Sequence, residues 1–174
     1  MKQKKYVDDY KAVIDQYGKT KYHYQGPLYE IKNQKRWKEL LIASWLVTFL
    51  STGLFLLMGF TDHEGSRQMY ITLPFVLLLY PVAMNWVNVY KLSFHKKPMI
   101  RMTYLQGFLG TKKMALMSAI VGTLASIGEL GFLIFGSTSS LQQDWMFFAF
   151  ALVYCGINWG FYVFFCRSEK ELIH

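Results

Sequence analysis

Glu129 lies inside the apolar stretch 115–135 of this 174-residue chain, the only charge set deep within any of its oily runs. An ionised side chain near mid-bilayer costs about 2.5–3.5 kcal/mol on insertion scales. The carboxyl therefore needs a proton, a partner subunit or a hydrogen-bond donor, and the sequence offers Tyr80, Tyr154 or a threonine at similar depth. Ser118, Gly122, Ala125 and Glu129 recur at steps of four, three and four, which puts them on one helical face. Small residues on that face let a second helix come close. Two chemistries fit: proton or cation exchange at the carboxyl, or a protonated, hydrogen-bonded glutamate that locks a helix bundle.

Other polar residues fall on ordered faces. Pro74, Pro81, Asn85 and Asn88 share one face, and Ser44, Thr48 and Ser51 share another. Asn85, Asn88, Asn158 and Tyr154 join Glu129 as a candidate intramembrane polar site. The competing reading makes the amides interhelical hydrogen bonds worth about 0.6 kcal/mol each. Gly156 and Gly160 form a GxxxG pair, with Tyr154, Asn158 and Tyr162 about 200° away on the same helix. Ser118, Gly122, Ala125, Gly156 and Gly160 are the candidate helix-packing residues, serving the monomer or a second chain.

Catalytic signatures are missing from the sequence. It has no HExxH, GxSxG, P-loop or CxxC pattern. His23, His63, His95 and His174 lie in separate segments without ligand spacing, so neither metal nor cofactor is expected. Asp62, Glu64 and Asp144 read as solvated loop residues. Cys155 and Cys166 sit on one helix about 16 Å apart in rise, too far to bridge. The expected protein is not an enzyme.

The elements that would position these groups are four apolar blocks, residues 40–60, 70–90, 114–135 and 145–166. Each is long enough to span a hydrocarbon core of about 30 Å. Hydrophobic residues make up 53% of the chain, concentrated in these blocks. The net charge of +8 would suggest nucleic acid in a soluble protein, but its placement argues otherwise. Of the 19 Lys and Arg, only Arg67 falls outside the leader, the middle loop and the tail. The positive-inside rule then puts both termini and the loop 91–113 in the cytoplasm. Nucleic acid is not expected as a partner.

The fold class that follows is an all-α membrane protein, a four-transmembrane-helix bundle in the plasma membrane. Residues 1–39 form a cytoplasmic N-terminal segment, 40–166 the transmembrane domain and 167–174 a cytoplasmic tail. No cleavable signal peptide is read, because the first apolar block starts late. Tyr6, Tyr10, Val13, Ile14 and Tyr17 suggest an amphipathic helix over 6–17. Tyrosine and β-branched residues around Gly26-Pro27 suggest a hairpin over 19–32. Trp37 is expected at the inner interface. Capping-box spacing at Thr103–Gln106 suggests a short in-plane helix, ended by Gly110 and Thr111.

From the run Tyr22-His23-Tyr24-Gln25-Gly26-Pro27-Leu28-Tyr29 through the first two spans, the chain resembles small four-span membrane proteins of Gram-positive bacteria encoded near ABC transporters. The resemblance implies a bacterial plasma-membrane protein that serves as a transporter accessory. It carries over no functional residue. The small multidrug-resistance pumps also have four spans, but they keep their essential glutamate in the first, where this chain has none. Two functions are therefore expected for comparison. One is an accessory or scaffold subunit binding another membrane protein. The other is a small dimeric proton-coupled secondary transporter using Glu129. The expected partners are the lipid bilayer and another membrane protein or a second copy.

Overall fold

The computed structural model describes residues 9–14, 19–31, 33–94, 99–136 and 141–173. Four helical segments are long and apolar enough to cross a membrane: Gln34–Phe60, Met69–Ser93, Arg101–Phe135 and Leu141–Glu169. Large apolar side chains such as Ile42, Phe49, Phe60, Leu73, Ile127 and Ile134 remain exposed on them. In water so much apolar surface would drive association; against acyl chains it is solvated.

The first segment, α1 (Gln34–Phe60), starts six residues before the apolar block. Asn33 caps it, its side-chain oxygen accepting from the backbone N–H of Lys35 at 3.0 Å and of Arg36 at 3.4 Å. Ser44, Thr48 and Ser51 all turn inward.

The second segment divides into α2 (Met69–Leu77) and α3 (Leu79–Ser93). The break at Leu78 follows from the two prolines. Pro81 has no N–H to give to Leu77, and it sits in the first turn of α3, where that donor is not needed. The Leu78 N–H bonds both Pro74 O at 3.2 Å and Phe75 O at 3.1 Å. Pro81, Asn85 and Asn88 are buried, as their shared face suggested.

The third segment begins earlier than the apolar block. A turn α4 (Arg101–Thr103) runs through one π turn (Tyr104–Phe108) into α5 (Leu109–Phe135). The separate in-plane helix is thus corrected: Gly110 does not end a helix. It lies where a Cβ would come 2.9 Å from Asn88 Cγ, and a Cβ on Gly107 would come 3.2 Å from the Leu92 backbone. These glycines serve close helix approach rather than chain reversal. The fourth segment, α6 (Leu141–Glu169), packs chiefly along α5.

Ahead of the helices, β1 (Tyr10–Ile14) and β2 (Thr20–Tyr24) form an antiparallel hairpin. The helix expected over 6–17 is therefore a strand where it is described, and the remainder, apart from Asp9, lies outside the described residues. Tyr10, Val13 and Ile14 are strong strand formers, and cross-strand pairing with β2 decides between the two spacings. The hairpin expected over 19–32 is also corrected. β3 (Leu28–Ile31) does not pair with β2; it is the centre of a sheet ordered β4-β3-β5, with β4 (Met99–Ile100) and β5 (Leu172–Ile173). Leader, middle loop and tail thus meet at one end of the bundle. Trp37 turns into the core there, with Ile31, Leu40, Met99, Phe108 and Phe165, rather than outward. A second core, around Met58, Ile71, Phe132, Phe147 and Tyr154, fills the opposite half.

Candidate functional site

The expected face of α5 forms as its spacing predicts. Ser118, Gly122, Ala125 and Glu129 are all buried, and Glu129 is 0% exposed. What covers it is the connection after α1. Residues Glu64–Arg67 form a 3-10 turn that folds back onto the bundle, and a Cβ on Gly65 would lie 2.5 Å from Glu129 Oε2. Only glycine lets that backbone rest on the carboxyl.

His63 precedes the turn. It is 6% exposed, its ring stacked on Phe147 with centroids 3.9 Å apart. Its Nδ1 lies 3.0 Å from the Thr61 carbonyl, an acceptor only, so Nδ1 carries a hydrogen. Its Nε2 then faces Glu129 Oε2 at 3.9 Å. Among the described residues, neither Nε2 nor either carboxyl oxygen of Glu129 has a hydrogen-bond partner. The donors suggested by the sequence are not used. Tyr80 is 54% exposed, and no hydroxyl bonds the carboxyl.

Asp144 belongs to the same end. It is fully buried, not a solvated loop residue, and accepts the Glu64 backbone N–H at 2.9 Å. That bond ties the turn to the start of α6. The Ser66 hydroxyl donates to His63 O at 2.7 Å, and Thr72 donates to Ser66 O. The segment from Thr61 to Gln68 is thus a built plug. Two clefts flank it. One, of about 440 Å³, is lined mainly by apolar residues including Met58, Ile71, Phe75 and Phe147. The other, of about 150 Å³, is lined by Asp62, His63, Glu64, Arg67 and Gln143. His63 contributes to both walls; Glu129 contributes to neither. No group of three His, Cys, Asp or Glu side chains among the described residues is arranged to hold a metal.

The other candidate residues lie deeper in the bundle and apart from Glu129. Asn85 donates to Thr48 Oγ1 at 2.8 Å, and Asn158 to Ser51 Oγ at 3.1 Å, so each ties α1 to another helix. Asn88 packs beneath Gly110. At 1.5 Å rise per residue, Glu129 is about 28 Å farther along the same helix. Tyr154 is fully buried, its ring under Gly122, about 10 Å from Glu129 by the same rise. Gly156 and Gly160 are exposed, and a Cβ on either would meet nothing within 4 Å.

At the terminal end, Arg101 and Tyr24 hold the leader to the third segment. The Arg101 N–H donates to the Tyr24 hydroxyl at 3.0 Å, which donates on to Pro27 O at 2.9 Å. Burial pushes the Tyr24 phenol up from its ordinary value, which keeps it a donor. The Arg101 guanidinium lies 3.7 Å from Asp9.

In the sequence alone His63 is an isolated histidine and Asp144 reads as a solvated loop residue, and neither these nor Gly65 point to Glu129. Asp144 had a signal: with Phe147, Ala151, Tyr154 and Asn158 it continues the inward stripe of α6 at steps of three and four. His63 and Gly65 had none, because their contact with Glu129 joins distant parts of the chain. No family model, curated protein or solved structure matches this chain.

Proposed function

We propose that this protein is a non-enzymatic accessory or scaffold subunit of the plasma membrane, with both termini cytoplasmic, that binds another membrane protein. The supporting observation is the unoccupied face of α6. Among the described residues, a Cβ on Gly156 or Gly160 would meet nothing within 4 Å. Val153 and Val163, also exposed, continue the same stripe. A glycine groove bordered by β-branched residues suits close approach of a helix from another chain. The resemblance to proteins encoded near ABC transporters gives the partner class.

Purification in mild detergent from native membrane tests this. The expected result is a stable membrane-protein partner that is lost when Gly156 and Gly160 are both replaced by Leu. A chain that emerges alone and monomeric, without a crosslinked partner, contradicts the proposal.

A second reading, a dimeric proton-coupled transporter, draws on the unpartnered Glu129 carboxyl. It requires water to reach that group. The plug over Glu129, and its absence from the walls of both neighbouring clefts, favour the scaffold. Under the transport reading Glu129→Gln abolishes proton-coupled flux in a folded protein; unchanged flux rejects it.

A further inference from the structure

We propose that His63 and Glu129 together bind one proton, and that this proton holds the 61–68 plug closed over the bundle. The inference stands apart from partner binding and survives if no partner is found.

The argument is a count of donors and acceptors. His63 Nδ1 is committed to the Thr61 carbonyl, so Nε2 is the only ring atom left for Glu129. With no proton between them, a bare nitrogen and two carboxylate oxygens face one another in a buried site with no donor among the described residues. With two protons, a buried imidazolium faces a neutral acid. With one, either an ion pair or a neutral acid facing an imidazole acceptor results, and both are compatible with burial. One proton is therefore the stable occupancy of the closed form.

The surroundings reinforce that count. On α6, Asp144 is a second buried carboxyl within electrostatic reach of Glu129. On the plug itself, Asp62, Glu64 and Arg67 line the polar cleft beside His63. The first and second segments bring Met58 and Ile71 to this core and no charge; the nearby titratable group of α2, Tyr70, is 53% exposed. The charge balance near the pair is acidic. His63 lines the polar cleft and also faces Glu129.

The direction of the linkage follows. The closed form keeps its proton where the open, hydrated pair would release it, so protonation favours closure and rising pH favours opening. With one proton coupled, the opening equilibrium rises about tenfold per pH unit between the titration of the open pair and that of the closed pair, and levels off above it.

Hydrogen exchange across residues 61–68, in the intact protein in lipid nanodiscs, reads this directly. Glu129→Gln at each pH supplies the reference for intrinsic exchange, since the amide mimics the neutral acid. Wild-type exchange is expected to accelerate over that reference by about tenfold per pH unit. With the proton on the acid, an infrared carboxylic-acid band vanishes over the same range, is absent in Glu129→Gln and persists in Asp144→Asn; with it on the imidazole, the band is missing at every pH and the exchange slope alone decides. Should Glu129→Gln fail to fold, His63→Gln carries the test, with a slope well below tenfold. Parallel exchange in wild type and variant overturns the proposal. So does a band that disappears with Asp144→Asn instead, or a plug that sodium or a divalent cation closes at constant pH.

Discussion

Gly65 rests on the carboxyl of Glu129 so closely that a Cβ there would lie 2.5 Å from Oε2. Alanine at that position must displace either the plug or the carboxyl. Overpacking of this kind costs about 1–3 kcal/mol. Gly65→Ala should therefore lower the thermal midpoint in detergent, and Glu129→Ala should restore much of the loss when combined with it. Equal midpoints for wild type and Gly65→Ala would show that the plug does not press on the carboxyl.

The helix glycines should divide by contact. Gly107→Ala and Gly110→Ala push against the Leu92 backbone and the Asn88 side chain and should destabilise by about 1–3 kcal/mol. Gly53→Ala and Gly131→Ala meet nothing within 4 Å and should be neutral or stabilising. Denaturation midpoints of the four variants, measured side by side, check the ordering.

The mid-bundle amides should act as modest ties. A double-mutant cycle between Thr48→Ala and Asn85→Leu should give a coupling of about 0.6 kcal/mol, and no more than about 1.7. Cycles pairing Asn85 with Glu129 should give none, since their helical levels are far apart. Strong coupling of that second pair would mean one polar site rather than several.

Tyr24→Phe removes both bonds of the phenol to Arg101 and Pro27. Exchange protection across β1 and β2 should fall while the helices keep theirs. Undiminished protection would place the anchor of the hairpin elsewhere.

The sequence was most informative where lipid sets the rule. Apolar length locates each span, and the steps of three and four identify the buried faces of α5 and α6. It was least informative where distant segments compete for pairing. Tyr10, Val13 and Ile14 suit a helix face and a strand equally, and the partner strand β2 decides. β3 finds β4 and β5 rather than β2, a choice no local spacing records. Gly110 reads as a helix end in isolation but as a contact once Asn88 is beneath it. The Glu129 face was legible; its covering by His63 and Gly65 was not, because that contact closes a long loop.

Photo-crosslinking in native membrane tests the central claim most directly, with a short-range probe placed singly at Val153 and Val163, which border the glycine groove, and, as a control, at the exposed Leu130 of α5. The account predicts a discrete adduct with one other membrane protein from both valine positions and none from the control. Lipid adducts alone from all three positions would contradict it.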